Sequence, residues 1–176
     1  MAKKVSEFRD EMADREAIRD VLYRYCRSND RCDEEMLRSC YWPDAEDDHM
    51  DAVRGIDDLA DYVMTALSAM RYNQHHTGNV LISIDGNRAE VESYVHAYHC
   101  PVMPDGSRHD VFGAGRYLDI FEKRDDEWRI LKRVVITDWF HDFGPPPPWE
   151  NSPFGPHVRR GDLKPRDKSY ELFNTL

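Results

Sequence analysis

An α+β fold, with helices first and an antiparallel sheet after them, is predicted by three features of this sequence. Apolar residues recur with helical spacing only as far as Met70. Beyond it come four long runs of strand-forming residues. Short turn signals, Asp85-Gly86, Asp105-Gly106 and Asp125-Asp126, separate those runs. Helices grouped ahead of strands, rather than alternating with them, argue for a sheet with helices covering one face.

The elements follow in order. Ala13 to Asn29 carries Ile18, Val21, Leu22 and Tyr25 on one helical face. Asp33 is an N-cap signal for a short second helix holding Met36, Leu37, Cys40 and Tyr41. "WPDAEDDHMDAVRG", broken by Pro43 and Gly55, predicts short irregular strands. Asp57 or Asp58 is expected to cap a third helix, whose stripe is Leu59, Tyr62, Val63, Ala66, Leu67 and Met70. The strand candidates cover about 74–84, 88–100, 110–124 and 127–141. Asp-Gly is a strong hairpin signal because type I′ turns need positive φ. These observations divide the chain into a domain over 1–142 and a Pro/Gly-rich tail over 143–176. The tail cannot be regular through Pro145 to Pro148. Trp149, Phe154 and Phe173 imply that it packs on the domain or on a neighbouring subunit.

Bulk properties narrow the function. The chain has 176 residues, 40% hydrophobic and 33% charged, the balance of a single soluble domain. A net charge of -10 repels phosphate backbones and anionic lipid, so no nucleic acid and no membrane are expected as partners. No apolar run approaches the ~20 residues of a membrane helix. "MAKKVSEFRDEM" lacks the apolar stretch of a secretory signal. Cys26, Cys32, Cys40 and Cys100 match no zinc or thioredoxin spacing, which implies reduced thiols and a cytoplasmic location.

Four kinds of chemistry are conceivable for these residues. A metal site would draw on His75, His76, His96, His99 and Cys100. Adjacent strand histidines point to opposite faces, as do His96 and His99, and no third ligand is supplied. No Gly-x-Ser-x-Gly elbow and no protease-like cysteine context exist. "GAG" in "FGAGRYLD" lies inside a strand candidate, away from any helix N-terminus that could hold phosphate. The fourth is acid–base work by a carboxylate and an imidazole. Asp30 ends the first helix and His75 begins the first long strand. Each alone is read most simply as a solvated surface group. Brought together, the carboxylate would fix one imidazole tautomer and leave the other nitrogen as a base near neutral pH.

"AIRDVLYRYCRSND", "HHTGNVLISIDG" and "GRYLDIFEKRDDEWRILKRVVITDW", in that order, resemble the SnoaL-like branch of the nuclear-transport-factor-like superfamily. That branch is related to scytalone dehydratase, bile-acid dehydratase and hexachlorocyclohexane dehydrochlorinase. The resemblance covers about residues 14–142. It implies a cone, a cystatin-like α+β barrel in which helices pack across the concave face of a curved antiparallel sheet. It also implies a catalytic pair at Asp30 and His75, a tyrosine at Tyr25 as in the bile-acid dehydratase, and an arginine at Arg133 as in the dehydrochlorinase. Neither a nucleotide nor a metal cofactor is implied. His96 is a loose match for the second histidine of scytalone dehydratase, and Ala97 or His96 stands where the bile-acid dehydratase has a further carboxylate. Neither substrate class therefore transfers.

Two readings of several residues stand side by side. Parity groups His76 with Val80, Ile82 and Ile84, which would send His76 under the helices. The resemblance selects His75, and a bulge at Gly78 would reconcile the two. Arg133, between apolar neighbours, either pairs with a carboxylate on the outer face or meets a substrate anion. Tyr25 is a core aromatic or a phenol donor to a substrate carbonyl. Trp42, Tyr117, Thr137 and Trp139 are pocket wall or plain core. The expected function is a cofactor-independent, dehydratase-type lyase acting on a small cyclic, aromatic, polyketide or steroid-like compound, in a homo-oligomeric (trimer or dimer) assembly. A non-catalytic binding or assembly domain, or the small subunit of a ring-hydroxylating dioxygenase, is the alternative.

Overall fold

The computed structural model describes residues 5–50, 52–148, 151 and 155–173. Helix α1 spans Val5–Arg31 and begins well before the apolar stripe at Ala13. The added turns lack that stripe, and Glu11 in them pairs with Arg15 one turn further on. Ile18, Val21, Leu22 and Tyr25 are all buried. Helix α2, Glu34–Ser39, starts where Asp33 accepts the Met36 N–H at 3.2 Å. Helix α3, Ile56–Ser68, begins directly after Gly55 with no side-chain cap. Asp57 and Asp58 therefore sit in its first turn, where negative charge suits the helix dipole, and neither is the cap.

One six-stranded sheet carries the helices. Its strands are β1 (Tyr41–His49), β2 (Ala52–Gly55), β3 (Asn73–Asp85), β4 (Arg88–His99), β5 (Val111–Arg124) and β6 (Glu127–Asp142). The order across the sheet is β2-β1-β6-β5-β4-β3. The last four form the expected antiparallel meander. β1 departs from expectation. It is a nine-residue strand, paired parallel to β6 with Asp47 opposite Arg133. Its alternation of Tyr41, Ala45 and Asp47 inward was hidden by Pro43 and the surrounding carboxylates. Asp125 and Asp126 both hold positive φ, as the two central residues of a type I′ turn do.

Bulges set which residues face the helices. Between Thr77 and Val80 the β3 register slips by one residue against β4. His75 and Thr77 thus face inward below the bulge, and Val80, Ile82 and Ile84 face inward above it. A second bulge at Leu131 puts Trp128, Ile130, Arg133 and Val135 on the inner face. A third, beside Gly115, leaves no room for a side chain there. A Cβ on Gly115 would lie 2.1 Å from the Ile136 carbonyl oxygen.

The core lies between the inner sheet face and α1 and α3. Leu37, Leu59, Phe121 and Ile130 are completely buried in it. The described part of the tail lies across the C-terminal end of α1. Lys164 N–H donates to the Arg31 carbonyl at 2.8 Å, and Lys164 Nζ reaches Asp33 at 2.8 Å. Tyr170 on the short helix α4, Lys168–Leu172, donates to the other Asp33 oxygen at 2.9 Å. Trp149 and Phe154, expected to anchor the tail, lie outside the described residues, and Phe173 is half-exposed. Among the described residues no helix is long and apolar enough to cross a membrane.

Candidate active site

The end of α1 meets the start of β3, and this brings Asp30 to His75. Asp30 Oδ1 lies 2.7 Å from His75 Nδ1 and also accepts the His75 backbone N–H at 2.9 Å. A carboxylate only accepts, so Nδ1 carries the proton and Nε2 keeps its lone pair. The two side chains are 12% and 8% exposed, partly sheltered but still reachable. Beside them opens a cleft of about 420 Å³, lined by Asp30, Tyr72, Gln74 and Tyr98 and by Leu163 and Arg166 of the tail. A shallower depression on the other side touches Cys26, Asp30, His75 and His76. Cys26 shares a 3.1 Å contact with Thr77, and burial pushes its thiol up. His76 faces outward, opposite His96.

The second histidine near the pair is His99. Its ring centroid lies 5.0 Å from that of His75, and its Nδ1 is 3.2 Å from Asn73 Oδ1. Burial, and then the charges of His75 and His49, lower its pKa to about 4. At neutral pH this imidazole is uncharged. His96, the expected match, instead packs on Phe112 on the outer face, 5.7 Å between centroids. Inner-face parity along β4, through Val91, Val95 and Ala97, was the signal that pointed to His99.

Arg133 and Tyr25 sit deeper. Arg133 is completely buried and makes two 2.7 Å hydrogen bonds to Asp119. Its guanidinium lies 4.1 Å from the ring centres of both Tyr25 and Tyr117. Burial works against its charge, but Asp119 outweighs that and keeps the group cationic. The ion pair is thus on the inner face, where the sequence left an outer-face salt bridge and a substrate contact both open. Asp119 was legible from the alternation Tyr117, Asp119, Phe121. Burial pushes the Tyr25 phenol up to about 12, against the pull of Arg133, so it stays a donor. Tyr25 Oη, Asn29 Oδ1 and Arg133 Nη1 are buried without a well-formed hydrogen bond among the described residues.

Three expected wall residues lie elsewhere. Trp42 donates to the Glu122 carbonyl and is flanked by Arg124 and Arg129. Trp139 is half-exposed against Phe112 on the outer face. Thr137 is on the inner face, opposite Gly115, but exposed. Tyr117 alone of the four is buried beside Tyr25. Among the described residues no group of three His, Cys, Asp or Glu side chains could hold a metal ion, and all four cysteines are unpaired.

A curved sheet with helices in its hollow, and an aspartate–histidine pair at the helix end, describe one class of domain. The chain belongs to the SnoaL-like domain family, matched over residues 10–134. Its structure is similar to that of a candidate scytalone dehydratase from Novosphingobium aromaticivorans, with 22% identity, 89% of this chain and 96% of that chain covered, and a TM-score of 0.68. It is also similar to the hexachlorocyclohexane dehydrochlorinase LinA-type3 from Novosphingobium barchaimii, with 22% identity, 79% and 98% coverage, and a TM-score of 0.67. At this identity the likeness establishes the fold alone. A comparison with curated proteins found no match.

Proposed function

We propose that this protein is a cofactor-independent lyase of the dehydratase type, in which His75 takes a proton from carbon. The observation that carries the reading is the 2.7 Å contact between Asp30 and His75 beside an open cleft. Asp30 holds the Nδ1–H tautomer and stabilises the imidazolium once His75 Nε2 has taken the proton. Tyr25 supplies a neutral phenol O–H, and Arg133, sealed by Asp119, positions Tyr25 from behind rather than touching substrate. The family, and the dehydratase and dehydrochlorinase among its structural neighbours, support the same reaction class. The substrate is a small cyclic compound bearing a leaving group next to an acidic C–H, fitting a cleft walled by Tyr72, Tyr98 and Leu163.

The test is a screen of cyclic β-hydroxy-carbonyl compounds for loss of water. Asp30→Asn and His75→Ala should each lower kcat by about 10²–10⁴-fold while binding persists. Full activity in both variants on a genuine substrate would remove the mechanism and leave a binding domain. We also propose a homo-oligomer. The outer sheet face exposes Leu81, Tyr94 and Leu118, and light scattering of the purified chain would read a monomer if this is wrong.

A further inference from the structure

The depression beside the dyad holds a cation that has no carboxylate partner among the described residues. The hollow measures about 350 Å³, and Asp30, His75 and Thr77 line it together with Tyr23, Arg27 and Arg31 of α1. Tyr23, Arg27 and Arg31 follow at four-residue intervals and so stand in one row along the helix. Asp30, three residues after Arg27, is its neighbour on the helix surface. Arg15, Arg19 and Arg24 of the same helix each pair with a carboxylate. Arg31 reaches Asp167 at 4.0 Å and gives Nη1 to the Asp30 and Asp162 carbonyls. Arg27 makes one hydrogen bond among the described residues, from Nη2 to Ser169 Oγ at 3.1 Å. Its Nε is buried with no acceptor there. A guanidinium carries five N–H donors, so most of the capacity of Arg27 is unused.

The tail holds this fork in place. The Ser169 hydroxyl that accepts from Arg27 donates in turn to Asp167 at 2.6 Å, and the Tyr170 ring centre lies 5.1 Å from the guanidinium carbon. A cation fixed in this way loses little freedom when it meets an anion. Charge decides on which side that anion sits. Arg27 also borders a hollow shared with Arg24 and Lys164, where three cations face the three carboxylates of Asp20, Asp33 and Glu35. An anion gains nothing there. In the depression of the dyad, Arg27 and Arg31 face Asp30 alone. This local excess of one positive charge, on a chain of net charge -10, suits a monoanion. A dianion would exceed it and be repelled by Asp30. Asp30 and Arg31 line both the depression and the cleft, so one molecule can touch both.

We propose that Arg27 holds a carboxylate of the substrate in this depression, so that the protein takes a cyclic hydroxy acid in its anionic form. The inference rests on the lyase reading above and narrows its substrate class. The planar guanidinium matches a carboxylate with two parallel hydrogen bonds, which fixes the orientation of the molecule as well as its charge. The ring then lies over the dyad toward the cleft. Tyr23, one turn before Arg27 and 54% exposed, flanks the ion pair. The bound carboxylate also favours the imidazolium that forms when His75 takes its proton, because an anion beside an imidazole stabilises the charged ring. Arg27 is thus a binding residue that sets specificity, and Ser169 and Tyr170 are positioning residues that act through it.

NMR titration of the full chain with cyclohexanecarboxylate, and with its neutral isostere cyclohexanecarboxamide, tests the site without turnover. At low ionic strength the acid should bind about tenfold or more tightly than the amide and should move the ring signals of His75 and Tyr23. Arg27→Gln should abolish that preference and leave binding of the amide unchanged. Arg24→Gln, which removes a cation already paired with Asp20, should keep the preference. Equal affinity for acid and amide, binding of neither, a preference that survives Arg27→Gln, or shifts at Tyr98 of the cleft in place of Tyr23 would overturn the assignment. On a substrate found by the screen, Arg27→Gln should raise KM for the acid about tenfold or more, with kcat altered less than about threefold, and leave the methyl ester unaffected. The same effect on acid and ester would also overturn it. The two readings fail separately. If acid binding depends on Arg27 but no compound loses water, the anion site stands and the lyase falls. If His75→Ala stops turnover while acid and ester react equally well in Arg27→Gln and in the wild type, the lyase stands and the anion site falls.

Discussion

Asp119 and Asp30 are both carboxylates that hold a basic partner on the inner side of the sheet. Asp119 closes on Arg133 with two hydrogen bonds, and neither side chain has any exposed surface. Asp30 meets His75 through a single oxygen, at the edge of a cleft, and among the described residues the far imidazole nitrogen is uncommitted. The first pair has spent its bonding capacity on itself and on the aromatic rings around it. The second has kept one atom for another molecule. Sequence does not distinguish the two carboxylates by type. Geometry does, by how much of each partner remains unpaired and how close it lies to the surface.

The sharpest way to break this comparison is to remove each carboxylate in turn. Asp119→Ala strands a buried guanidinium and should cost about 3–5 kcal/mol in urea unfolding. Asp30→Asn, at a partly accessible position, should change the same measurement by about 1 kcal/mol or less. Equal losses would mean that both pairs are structural.

His99 sharpens it further through pH. Its folded pKa of about 4 lies below the ordinary imidazole value, so the folded state favours the neutral ring. That contribution is complete above about pH 6.5 and is lost as pH falls toward 4. The wild type should therefore lose on the order of 3 kcal/mol more than His99→Gln over that interval. Identical pH profiles of Tm would show that His99 is not held neutral.

Lys164→Ala tests the tail as part of the cleft wall. The lysine is partly exposed, so the expected loss is about 1 kcal/mol or less, with faster proteolysis within residues 159–173. Trp139→Ser is the smallest case. Outside the core and away from the dyad, it should move stability by about 0.5 kcal/mol or less.

The sequence announced what depends on local periodicity and turn chemistry. The four long strands, the Asp33 cap and the stripe of α3 were legible for that reason. Asp30 with His75 was legible through resemblance. What stayed hidden depends on register. The bulge after Thr77 gives His75 and Val80 the same face although their positions differ by an odd number. The bulge at Leu131 does the same for Ile130 and Arg133. A parity argument run straight through either bulge inverts every residue beyond it. β1 was obscured differently, because its inner residues include Asp47 and His49, whose polarity reads as loop until Arg133 is seen opposite.

Asp33 joins two distant parts of the chain. It opens α2 through the Met36 N–H and, with the same carboxylate, binds Lys164 and Tyr170. Lys164 and Tyr170 follow Asp33 by 131 and 137 residues, so during synthesis the helix corner is made long before the two groups that complete it. A nascent chain that has already built α1 and α2 leaves Asp33 with the Met36 N–H alone. The cleft wall closes only once residues 164–170 have been added.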